Sequence, residues 1–114
     1  MRTGGGGGGF DVNRLVKQAQ DMGSKMNKLQ EELKQMVVEA TSGGGMVRAV
    51  VNGQKELVGL KIDPEVVSKD DVAMLEDLIV AAVQEATRKA GEMAQAEMQK
   101  ISGGLGIPGL FGGM

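Results

Sequence analysis

The chain has 114 residues, with 41% hydrophobic and 25% charged residues and a net charge of −2, which is an ordinary single-domain composition. It holds no Cys and no His, which excludes disulfide scaffolds, thiolate or imidazole metal sites, and Ser–His or Cys–His nucleophilic catalysis. Phe10 and Phe111 are the only aromatics, so the core must be aliphatic and no platform exists for stacking unpaired bases.

Residues 1–10 read as a flexible leader built on Gly4–Gly9, without the apolar stretch of a signal peptide. Nothing approaches the ~18 apolar residues of a membrane span. The expectation is a soluble, intracellular protein.

The first helix starts at a capping residue, Asp11. Val12, Leu15, Ala19, Met22, Met26, Leu29, Leu33 and Met36 follow at alternating steps of three and four. Such a seam predicts a coiled-coil-like pairing with another helix. Gly23 sits inside this helix at a cost of about 1 kcal/mol relative to Ala. Val37 to Thr41 is β-branched enough for a strand, and Gly43-Gly44-Gly45 then interrupt the chain.

From Met46 to Val51 and from Glu56 to Ile62 the period changes to two, around Asn52-Gly53. This predicts a β-hairpin, with a loop of two or four residues. Val47, Ala49 and Val51 would share a face with Val58, Leu60 and Ile62. The other face would carry Met46, Val50 and Leu57 beside Arg48 and Lys61. That face is too apolar to stand in water, and a second copy of the chain is the simplest cover.

A capping box over Ser68–Asp71, with a Val67–Val72 staple, predicts the start of the second helix. Its apolar face runs Val72, Leu75, Ile79, Ala82 or Val83, Ala86, Ala90 and Met93, with a stutter from Ala86 to Ala90. The alanines suggest a close approach to the first helix. One domain is expected over residues 11–102, followed by a Gly-rich tail, 103–114. The tail contains Gly104-Leu-Gly-Ile-Pro-Gly109, but no strand precedes this glycine pattern and no helix follows it, so it is no nucleotide fingerprint.

Asp70, Asp71, Glu76 and Asp77 read as helix-start acids rather than metal ligands. The methionines at heptad spacing read as core, although Met-rich faces also serve adaptable binding. Charge is uneven. Residues 1–61 hold nine Lys and Arg against six acids, and residues 62–114 hold four against nine. The topology, out along one helix and back along the other, predicts that the outer halves of the two helices lie together, far from the sheet. They carry Arg14, Lys17, Lys25 and Lys28 on the first helix and Arg88, Lys89 and Lys100 on the second, candidates for phosphate contact. The candidates for a dimer interface are Met46, Val50 and Leu57.

Several stretches together resemble the YbaB/EbfC nucleoid-associated proteins. They are Leu15-Val-Lys-Gln-Ala-Gln20 with Met22, Met26, Leu29 and Gln30-Glu-Glu32; Gly43-Gly-Gly-Met-Val47 with Val51-Asn-Gly53; Lys61-Ile-Asp-Pro-Glu65; Met74-Leu-Glu-Asp-Leu-Ile-Val-Ala-Ala82; and the closing Gly-Ile-Pro-Gly-Leu-Phe. The resemblance spans about Asp11 to Phe111. It implies an α+β homodimer of tweezer-like outline, with two long helices flanking a small antiparallel sheet. It also implies double-stranded DNA as partner in the bacterial cytoplasm and nucleoid, no enzymatic activity, no cofactor, and effects on nucleoid organisation and gene expression. The alternative is a protein-interaction or chaperone-like module that uses the Met-rich helical face and the apolar tail.

Overall fold

A computed structural model describes residues 11–104, so the leader and nearly all of the expected tail lie outside the described residues. Helix α1 spans Val12–Gln35, strands β1, β2 and β3 span Val37–Ser42, Val47–Asn52 and Leu57–Ile62, and helix α2 spans Val72–Gly104. The fold is α+β, with the expected helices, hairpin and third strand. Asp11 caps α1, its carboxylate accepting from the Arg14 backbone N–H at 3.3 Å.

The strands form an antiparallel sheet in the order β1-β2-β3. Between β1 and β2, Gly43, Gly44 and Gly45 take φ of 60°, 67° and 93°, a left-handed run that side chains would resist. The second connection is the four residues Gly53–Glu56, the longer of the two expected lengths, with the Asn52 N–H donating to the Glu56 carbonyl at 2.9 Å. The left-handed position is Lys55, at φ 65°. Asn52, itself buried, holds the loop by accepting from the N–H groups of Gln54 and Glu56 at 2.9 and 3.0 Å. A bulge follows, so that Leu57 rather than Val58 stands opposite Val51. The strict alternation expected from the sequence fails there, and Leu57 leaves the row of Arg48 and Lys61.

The core lies between the sheet and α2. Val47, Ala49 and Val51 of β2 and Ala40 of β1 are buried against Ala82, Ala86 and Ala90. These alanines bring α2 close to the sheet, not to α1. The stutter suits this, because eleven residues per three turns keeps a contact face straight where a heptad would coil. Ser42 ties the sheet to α2, its hydroxyl donating to the Leu78 carbonyl at 2.6 Å. α2 packs over β1 and β2 and leaves Leu57, Val58 and Leu60 of β3 exposed.

The start of α2 differs from the predicted capping box. Asp71 is itself the capping residue, accepting from the Met74 N–H at 3.1 Å. Ser68 instead accepts from Asp70 in the preceding turn. With the cap three residues later, Val67 and Val72 form no staple, and both are exposed. The sequence reading also passed over a 3₁₀ turn, Pro64–Val66, capped by the Asp63 carboxylate. α2 runs two residues past the boundary expected at 102.

Candidate nucleic-acid interface

The position of α1 is set at its C-terminal end. The Gly53 N–H donates to the carbonyls of Leu33 and Met36 at 2.8 and 2.9 Å, supplying the helix end with a donor from the hairpin tip. The Gln54 side chain adds a bond to the Gln30 carbonyl at 2.8 Å. The approach is so close that a Cβ on Gly53 would lie 2.7 Å from the Leu33 oxygen. Gly53 is therefore required by contact with α1, a use that the Asn-Gly hairpin signal does not reveal.

Leu29 and Leu33 are the only residues of α1 that are fully buried. Lys25, Lys28, Leu29 and Glu32 meet Glu97, Lys100 and Ile101 of α2 around a hollow of about 230 Å³. The outer turns of α2 thus face the inner half of α1. The outer half of α1 does not lie beside α2 as predicted, and every residue from Asp11 to Asp21 is exposed. The reason is length and offset. α2 spends its first twenty residues on the sheet, and what remains reaches only to about Lys25.

On α1 the cations gather. At about 100° per residue, Arg14, Lys17, Lys25 and Lys28 fall within about 80° of arc, turned away from the apolar stripe. They extend over about 21 Å, the length of about six phosphate steps along one DNA strand. Asp21 sits in the middle of this arc. Among the described residues, none of the four cations forms an ion pair.

On α2 the cations are already matched. Arg88 holds both Glu85 and Glu92, the latter at 2.7 Å. Their hydrogen bond lowers the Glu85 carboxyl below its usual range and raises the Arg88 guanidinium above its own. Lys89 donates to the Glu39 carbonyl of β1 at 2.7 Å, and Lys100 pairs with Glu97 at 2.8 Å. Arg88 also points about 160° away from the buried alanines, so these three do not share a face. The structure brings together the α1 candidates and disperses those of α2.

The sheet face away from α2 carries Glu39, Val50 and Gly59 in one row and Thr41, Arg48 and Lys61 in the next. Arg48 and Lys61 stand directly opposite one another, an unfavourable pair, relieved by Glu39 at 3.6 Å from Arg48. Their shared parity across the hairpin was visible in the sequence. Of the interface candidates, Val50 lies at the centre of this face, Met46 in the turn before β2, and Leu57 at the start of β3. Among the described residues no helix is long and apolar enough to cross a membrane.

A family model described as the YbaB/EbfC DNA-binding family matches residues 8–105. The chain is 60% identical to the nucleoid-associated protein Teth39_2199 of Thermoanaerobacter pseudethanolicus, over 97% of this chain and the whole of that relative. It is 58% identical to a nucleoid-associated protein of Acetivibrio thermocellus, over 92% of this chain and 94% of the other. Among solved structures it is similar to the uncharacterized protein HP0035 of Helicobacter pylori. That match has a TM-score of 0.72 at 25% identity, covering 81% of this chain and 97% of that one.

Proposed function

Because the chain belongs to the YbaB/EbfC DNA-binding family, we propose that it is a non-catalytic nucleoid-associated protein that binds double-stranded DNA as a homodimer. It acts in the bacterial cytoplasm, at the nucleoid, on DNA organisation and thereby on gene expression. The observation that carries the reading is the basic arc of Arg14, Lys17, Lys25 and Lys28 along one side of α1, none of which forms an ion pair among the described residues. Arg14 and Lys17 lie on the exposed outer half, and Lys25 and Lys28 beside the end of α2. Phosphate contact there displaces no ion-pair partner among the described residues. Arg88, Lys89 and Lys100 contribute less, because each must first leave the group it holds.

A net charge of −2 does not oppose this, since the field near the phosphates is local. A two-fold axis would double the arc and let two weak arms hold one duplex. The open sheet face supports the dimer. It offers Val50 at its centre and Met46 at its margin, with the exposed Leu57 next to it at the start of β3, and both signs of charge in Glu39, Arg48 and Lys61, so it can be complementary to itself.

The test is a mobility shift on random duplex across a salt series. Wild type should weaken steeply with salt. Changing Arg14, Lys17, Lys25 and Lys28 together to Gln should lower affinity for all duplexes alike and flatten the slope. A folded quadruple variant that binds as well as wild type would refute the assignment. Light scattering should report twice the chain mass, and Leu57→Glu should shift it toward the monomer by placing a charge in the interface. Binding that ignores salt would instead favour apolar docking, the protein-interaction reading.

A further inference from the structure

The outer half of α1 carries an apolar stripe that no described residue covers. Val12 and Leu15 are 59% and 46% exposed, while Leu29 and Leu33 on the same stripe are 4% and 2% exposed. Val12, Leu15, Ala19, Met22, Met26, Leu29 and Leu33 all fall within about 100° of arc, so the stripe runs outward without turning. A hollow of about 530 Å³ lies along its edge, lined by Leu15, Ala19 and Met22 of the stripe and by Gln18, Asp21 and Lys25 beside it. A face so regularly patterned is one built for burial.

α2 ends where a cover would have to begin. Ile101 shares a hollow with Lys25 and Leu29, and Gly104 is the last residue of the helix. The chain is thereby delivered to the inner end of the bare stripe, heading outward. Residues 105–114 follow, with Leu105, Ile107, Pro108, Leu110, Phe111 and Met114 and no ionisable side chain. Its glycines and Pro108 oppose a helix of its own and suit an extended chain. From Met22 to Val12 the stripe measures about 15 Å, and the seven residues after Gly104 reach up to about 23 Å. The reach suffices.

We infer that Leu105–Phe111 lies along α1 of the same chain, Leu105 beside Met22 and Leu110 and Phe111 toward Leu15 and Val12. The same chain is favoured over a second copy because the segment starts at the stripe, with no linker to span, which gives a high effective concentration. Arg14, Lys17 and Lys28 of the basic arc lie on a different side of α1, while Lys25 borders the hollow.

The chain has no Cys, so an engineered pair reports one contact. Ala19→Cys with Ile107→Cys, which the inferred path brings level, should oxidise at least tenfold faster than Gln20→Cys with Ile107→Cys, which is at nearly the same height but off the stripe. The product should migrate as a single chain. Equal rates, or a product joining two chains, would overturn the inference. Hydrogen exchange supplies a second reading without cysteines. In the full-length variant Leu110→Asp with Phe111→Asp, amides of residues 15–22 should exchange about tenfold faster than in wild type. Unchanged exchange there would count against the contact.

Discussion

The two halves of α1 have the same heptad pattern and opposite fates. The inner half, from about Lys25 to Gln35, is clamped. Leu29 and Leu33 are buried and the hairpin tip donates hydrogen bonds to its last carbonyls. The outer half is exposed, its apolar stripe bare among the described residues; Arg14 and Lys17 there form no ion pair, and neither do Lys25 and Lys28 on the inner half. The difference teaches that an apolar period states a capacity for burial, whereas a neighbour at the right height decides whether burial occurs. It also shows how one helix can anchor at one end and present a charged surface at the other.

The largest effect is expected at the clamp. Gly53→Ala would drive a Cβ to 2.7 Å from the Leu33 oxygen and 2.8 Å from its Cβ. Overpacking and the strained capping bonds together should cost about 2–4 kcal/mol, measured by urea unfolding. A loss below about 1 kcal/mol would mean that α1 can move off the hairpin freely.

Next comes a paired substitution along the stripe. Leu33→Ala should cost about 2–4 kcal/mol, because it leaves a cavity where the helix is held. Leu15→Ala should cost less than about 1 kcal/mol, because no described residue covers it and the one extended segment inferred to lie there would bury it on one side only. Equal losses would erase the distinction between the halves.

Gly23 stands at their border, and a Cβ there would meet nothing within 4 Å. Gly23→Ala should therefore stabilise α1 by about 0.8–1 kcal/mol, visible as increased helical circular dichroism and a higher urea midpoint. No gain would indicate that the outer half is already as helical as the inner.

The smallest effect concerns the matched cations of α2. The folded-state pKa of Glu85 is lowered by the hydrogen bond from Arg88, so its contribution is present above the unfolded value and fades as pH falls through the folded one. That window lies on the acid side of the ordinary value of 4.5. Both groups are exposed, so the effect is slight. Helix content should stay level from neutral pH to about 5, and Glu85→Gln should remove part of any decline below that.

Much of this was legible in the chain itself. Asp11 and the period after it located α1, the change to period two located β2 and β3, and the glycine triplet located the turn between β1 and β2. The misses have physical causes. Ser68 and Asp71 both present capping oxygens, and only the observed turn shows that Asp71 takes the role. Asn52-Gly53 looks like a two-residue turn, yet Gly53 is there because α1 passes within contact distance. The seven cations were all named in advance, and the pairs that hold two of them, Arg88 with Glu85 and Glu92 and Lys100 with Glu97, stand at helical spacings already present in the sequence. Glu92 and Arg88 are neighbours along one helix, whereas Lys89 finds Glu39 only because α2 crosses β1.

By itself, then, the sequence determined the elements, the absence of His and Cys chemistry, and the family resemblance that the comparisons bear out. These rest on local terms such as periodicity, capping and residue inventory, which act over a few residues. The tertiary structure alone decided the height at which α2 meets α1, and with it which half of the stripe is buried, and it alone set Lys89 on the Glu39 carbonyl. Those outcomes depend on contacts between residues far apart in sequence, where a shift of one helical turn moves about 5.4 Å of surface from the core into water.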